Sequence, residues 1–89
     1  MKTIEHTALG RFEIVWGKIE EEVFTAIEAH FGSFTDFKSD GDSTSFRDPL
    51  YGELKELYIY RNLQSPKKLY FLGEITNGVW AFGLPVDGN

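Results

Sequence analysis

Cysteine is absent from this sequence, so no disulfide and no thiolate metal site can form. The fold must therefore rest on its apolar core, and a reducing compartment suits it. No apolar run approaches the roughly 18 residues that a membrane span needs. No basic-then-apolar segment opens the chain as a signal peptide would. A cytoplasmic protein that does not enter a membrane is the expectation. Histidine is scarce too, with only His6 and His30, and neither has a His or Cys at metal-ligand spacing. His30 falls in the last turn of a predicted helix, where the helix dipole favours a protonated imidazole. The sequence also lacks G-x-S-x-G and any phosphate-binding glycine loop. Its serines cluster between Ser39 and Ser45 with no flanking histidine.

These absences leave no signature of nucleophilic, metal-dependent or phosphate chemistry. Carboxylates are plentiful enough for an acid/base pair, but abundance carries no specificity. The expectation is a non-enzymatic protein with no cofactor and no metal. The stretch from Asp36 to Arg47 comes nearest to a calcium loop, with Asp40 and Gly41 at positions 5 and 6. Lys38 and Arg47 then occupy positions 3 and 12, where ligands are required. A turn at Asp40-Gly41-Asp42 explains the stretch better.

What is present is charge of one sign and a heavy aromatic content. The 89 residues make one small domain, 1–89, and 16% aromatics supply the apolar area that so short a chain needs. Net charge is −5, and it is uneven: residues 1–48 carry ten acids against five bases, residues 49–89 four against four. Direct nucleic-acid binding is disfavoured, while a basic protein partner is permitted. Lys67-Lys68 is the only adjacent basic pair, and it reads as a solvated loop.

The clearest local signal lies in residues 69–84, two apolar runs around Asn77-Gly78. Asn-Gly favours a two-residue type I′ hairpin turn. That register sets Thr76 opposite Val79, Ile75 opposite Trp80, Gly73 opposite Phe82 and Phe71 opposite Leu84. One face would then hold Leu69, Phe71, Ile75, Trp80, Phe82 and Leu84. It should form the wall that receives the helix, and Trp80→Ala should cost about 3–5 kcal/mol. The reverse face would hold Tyr70, Leu72, Glu74, Thr76, Val79, Ala81 and Gly83, a mixed set.

Upstream, residues 2–8 alternate weakly, and Leu9-Gly10 offers a turn. Residues 11–16 alternate with Phe12, Ile14 and Trp16 inward. Gly17 breaks the pattern. From Lys18 to Phe31 the residues Ile19, Val23, Ile27 and Phe31 recur at helical spacing, with Glu20, Glu21 and Glu22 in the first turn and Gly32 as a stop. Residues 34–47 suggest a second hairpin turning at Asp40-Gly41, with Phe37 opposite Thr44 and Thr35 opposite Phe46. Phe34 falls on its polar side, or else covers the helix end. Asp48 to Gly52 is a turn. Residues 53–61 form a strand with Leu57 and Ile59 on one face and Tyr58 and Tyr60 on the other. Pro85 ends the last strand, and the tail to Asn89 should fray.

The predicted order is ββ-α-ββ-β-ββ. It is an α+β fold, a single antiparallel meander of six to seven strands curled around one amphipathic helix, with no crossover. If the faces align, Tyr58, Tyr60 and Tyr70 gather on the side away from the helix. Tyrosine suits an interface, because its ring is apolar and its hydroxyl stays wet.

The leading functional expectation is a small acidic protein that binds a macromolecular partner, in the manner of an inhibitor or immunity protein. Tyr58, Tyr60 and Tyr70 would be its anchors, and Glu20, Glu21, Asp40 and Asp42 would steer a basic partner. The alternatives are a homodimeric structural module that uses the same tyrosine face, and a small-ligand binder or enzyme. The last would need a pocket between helix and sheet lined by His30 or Glu28.

Overall fold

The computed structural model describes residues 2–33, 35–48 and 52–86. The placement of Phe34, residues 49–51 of the expected turn and residues 87–89 of the expected frayed tail lie outside the described residues. Six strands and one helix follow in the order β1 (Lys2–His6), β2 (Gly10–Ile19), α1 (Glu20–Phe31), β3 (Phe37–Arg47), β4 (Leu54–Asn62), β5 (Leu69–Thr76) and β6 (Val79–Pro85). The strands form one antiparallel sheet in the spatial order β1-β2-β6-β5-β4-β3. The fold is α+β, with one helix on one curled sheet.

The expected antiparallel neighbours hold for β1 with β2 and from β3 to β6. β2 pairs with β6, so α1 must carry the chain across the sheet to its far edge, and the expectation of no crossover is wrong. Short connections favour neighbours in sequence. Here the buried apolar residues of β2 and β6 outweigh that preference, because pairing them places both strands in the sheet centre.

α1 starts where β2 loses its ladder. Gly17 takes φ 79° at a bulge between Trp16 and Lys18. The Ile19 backbone N–H then donates to Glu22 Oε1 at 3.4 Å, satisfying one group at the helix start. Gly32, at φ 88°, ends the helix, and its N–H donates to the Glu28 carbonyl at 2.7 Å. Val23 and Ile27 are fully buried, and Phe31 packs beside them. Ile19 is 53% exposed, since it caps the helix and does not belong to the buried stripe.

The Asn77-Gly78 turn decides which residues face the helix. A type I′ turn needs a left-handed Asn77, but only Gly78 has positive φ, at 70°. The ladder takes up one extra residue between Glu74 and Thr76. Above this bulge Glu74 pairs with Trp80, Gly73 with Ala81, Leu72 with Phe82 and Phe71 with Gly83. A shift of one residue turns a strand's side chains over. Tyr70 and Leu72 therefore share the helix side with Phe82, Trp80 and Leu84. Leu69, Phe71, Ile75 and Ala81 lie on the opposite side with Phe12, Ile14, Leu57 and Ile59. The predicted single wall is split between two cores.

Among the described residues no helix lies over the second core, and the curl of the sheet covers it instead. His6 in β1 lies 6.1 Å from Phe71 in β5, ring centre to ring centre. In a flat sheet those strands would stand roughly 14 Å apart. Phe46 in β3 reaches the same ring from the other edge, at 5.8 Å. Two glycines on this side permit the curl. A Cβ at Gly73 would lie 2.6 Å from the Glu56 backbone oxygen, and one at Gly83 would lie 2.5 Å from Ile14 Cδ1.

The predicted hairpin over residues 34–47 does not form. Phe37–Arg47 is one edge strand pairing with β4 on both sides of a bulge between Ser39 and Ser43. Asp40-Gly41-Asp42 is the bulge, with Gly41 at φ 84°. The flanking runs have too few apolar residues to pair with each other, whereas β4 gives each a partner. A bulged, charged edge also resists pairing with a further strand.

Candidate interaction surface

The helix-side face of the sheet can be read in rows from the observed register. One row runs Ser43, Tyr58, Leu72, Phe82 and Val15 across β3, β4, β5, β6 and β2. α1 covers the middle of this row, so Leu72 and Phe82 are buried while Tyr58 is 46% exposed. The next row contains Ser45 and Glu56, then Glu74, Trp80 and Lys18. The pairing of β4 with β5 runs from Tyr58–Leu72 to Arg61–Leu69, and both Glu56 and Glu74 lie exposed beyond its Tyr58 end. Leu54 continues this face of β4 and is 63% exposed.

The three tyrosines are not equivalent, and they lie on the helix side, not the side away from it. Tyr70 is buried, which corrects its assignment as a contact anchor. Its ring stacks on Tyr60 at 5.3 Å and 7° and meets Phe37 at 5.0 Å and Phe31 at 6.1 Å. It is the aromatic floor under the C-terminal end of α1. Burial, and secondarily the neighbouring Tyr60, push its phenol from the ordinary 10 up to about 12. The folded protein therefore holds this proton where the unfolded chain releases it. Stability is fully present below pH 10 and falls as pH rises toward 12. The expected loss is on the order of 1–2 kcal/mol, visible as a falling melting temperature over that range. Tyr70→Phe should lessen the decline, and an unchanged alkaline slope in that variant would contradict it.

Tyr60 is half-buried in the stack. Tyr58 alone projects outward, and its hydroxyl donates to Glu56 Oε1 at 3.0 Å. That hydrogen bond, followed by the Glu56 charge, raises the Tyr58 phenol above its ordinary value. The Ser43 hydroxyl donates to the other Glu56 oxygen at 3.3 Å. Glu74 Oε2 accepts the Gly78 backbone N–H at 2.9 Å.

The expected steering acids are dispersed. Glu20 and Glu21 are exposed in the first turn of α1 and line a shallow groove of about 350 Å³ with Phe24, Thr25 and Glu28. Asp40 is held by Arg61 at 3.0 Å, so its charge is locally balanced. Asp42 is exposed on the edge bulge, where its N–H donates to Asp40 Oδ1. Glu56 was not singled out from the sequence, though strand periodicity puts it on the Tyr58 face of β4. Glu74 and Trp80 were expected on opposite faces, and the bulge pairs them.

A second groove, of about 650 Å³, runs between α1 and β2–β6 and is lined by Lys18, Ile19, Glu22, Ala26, Ala29 and Phe82 among others. It is open to solvent, and neither His30 nor Glu28 lines it. The helix–sheet interior is filled by Val23, Ile27, Tyr70, Leu72 and Phe82. Among the described residues no three His, Asp or Glu side chains gather as metal ligands. No described helix is long and apolar enough to cross a membrane. No protein-family model, curated protein or solved structure matches this chain.

Proposed function

We propose that this chain is a small, non-enzymatic, acidic binding protein that acts on a protein partner, as an inhibitor or immunity-type protein does. The observation that carries this reading is the part of the sheet that α1 leaves uncovered. There Tyr58 and Leu54 stand exposed, with Glu56 hydrogen-bonded to the Tyr58 hydroxyl. An exposed ring with a carboxylate beside it suits an interface anchor with an electrostatic rim. Tyr58 is the principal anchor, and Glu20 and Glu21 extend the negative field along the helix start.

A photo-crosslinking residue at position 58, used in extract from the native host, tests the reading together with Tyr58→Ala. The expected result is one dominant crosslinked protein whose affinity falls about tenfold or more in the alanine variant. The variant should keep its melting temperature, because Tyr58 is exposed. Equal affinity in both proteins would count decisively against this face.

A self-associating module is the second reading, supported by the larger groove. Its exposed Ile19 is flanked by Lys18 on one side and Glu21 and Glu22 on the other. A two-fold axis could match these charges between copies. Light scattering that reports a monomer at all concentrations would remove it.

A further inference from the structure

We propose that Asn77 is a modification site, where attack by the Gly78 nitrogen converts the side-chain amide to a carboxylate, and that Glu74 sets the rate of this conversion. The inference stands independently of the partner reading above. Asn77 and Gly78 are exposed, and they lie beyond Thr76 and Val79, the last pair of the β5–β6 ladder. The turn can therefore rearrange without breaking the ladder. A Cβ placed on Gly78 would meet nothing within 4 Å, so space is open for the Asn77 side chain to fold back over the Gly78 nitrogen. Among the described residues the Asn77 amide has no hydrogen-bond partner to hold it away.

The conversion consumes only water. The Gly78 nitrogen forms a bond to Asn77 Cγ as its own N–H proton leaves. The Cγ–Nδ2 bond breaks, and the amide nitrogen takes up a proton and departs as ammonia. Water then opens the cyclic imide at either carbonyl. Attack at Cγ gives aspartate. Attack at the main-chain carbonyl gives isoaspartate, whose main chain runs through Cβ and Cγ. Isoaspartate thus adds a main-chain carbon to the turn beside the bulge between Glu74 and Thr76.

Glu74 acts on the first step. Its Oε2 accepts the Gly78 N–H at 2.9 Å, and this is the proton that must leave. A hydrogen bond from the neutral group and a negative charge beside the nitrogen both oppose its loss. Glu74 therefore slows the conversion in the folded chain. The other described candidates are held differently. Asn62 precedes the bulkier Leu63, and its Oδ1 already accepts the Gln64 and Ser65 N–H groups. Asp40 precedes Gly41, but its two carboxylate oxygens take Arg61 Nε and the Asp42 N–H.

The test is incubation of the full chain in mildly alkaline buffer, read by peptide mapping with mass spectrometry and by enzymatic methylation of isoaspartate. A capped peptide of residues 74–80 gives the unfolded reference rate. Aspartate and isoaspartate are expected to accumulate at position 77 and not at position 62, more slowly than in the peptide. Glu74→Ala should speed the conversion about tenfold. Glu74→Gln keeps an acceptor without the charge, so its rate should fall between the two. Hydrogen exchange of the Gly78 amide proceeds through loss of the same proton and should rise in parallel. Absence of product at position 77 in the native chain and in both variants would overturn the site. Conversion in Glu74→Ala at or below the native rate would overturn the role of Glu74. Faster conversion with unchanged Gly78 exchange would overturn that role as well, because the hold on the N–H would not be its cause.

Discussion

Phe71→Ala is expected to destabilise this protein by about 3–5 kcal/mol, a large share of what so small a domain possesses. Phe71 is completely buried and is the hub of the core on the side away from the helix. Phe12 packs on it at 4.6 Å, Phe46 at 5.8 Å and His6 at 6.1 Å. Those three rings come from strands that would be well separated in a flat sheet. Removing the hub would leave a cavity that the curled strands cannot close without losing their pairing. Trp80→Ala should cost less, roughly 2 kcal/mol, because Trp80 is only half-buried at the helix margin. Denaturant melts of the two variants check the ranking directly. Equal losses, or a larger loss for Trp80, would mean that the bulge is absent and the simple hairpin register holds.

Gly73→Val is expected to be nearly as damaging, at about 3 kcal/mol. The first atom of any side chain there would meet the Glu56 carbonyl oxygen at 2.6 Å and Leu57 Cδ2 at 2.7 Å. The leucine could rotate away, but the carbonyl belongs to the neighbouring strand and can move only if the sheet opens. Gly73 needs no unusual backbone angle, so the penalty arises from close approach alone. A thermal melt compared with Gly78→Ala separates the two uses of glycine. At Gly78 a Cβ meets nothing, and only the left-handed φ is strained. The Gly73 variant should show the larger drop and weakened hydrogen-exchange protection along β4 and β5. Protection unchanged in those strands would contradict the proposed role of Gly73 in the curl.

The local elements were legible in the sequence because each rests on local chemistry. The helix follows from its apolar spacing, from Glu20 to Glu22 at its start and from Gly32 at its end. β4 alternates cleanly, and Leu57 and Ile59 do face away from Tyr58 and Tyr60. The inward residues of β2, Phe12 and Ile14, also lie where their alternation puts them. Tyr58 was legible as a candidate for the same reason. Tyr70 was not separable from it, because burial depends on where α1 and Phe37 come to rest.

Residue order by itself determined the single helix and its ends, the strand character of β2, β4, β5 and β6, and the acidic balance. All of these follow from backbone preferences and side-chain periodicity within a few residues. The tertiary structure decided which strands meet, which face of β5 the helix covers, and which tyrosine stays at the surface. β2 found β6 although Ile19 and Val79, their nearest paired residues in the chain, lie far apart in sequence, a choice made by apolar burial and not by neighbourhood in the chain. One backbone angle at Asn77 decided between a plain hairpin and a bulge. Because strand side chains alternate with a period of two, that single extra residue exchanged the inner and outer faces of β5 and set Glu74 beside Trp80.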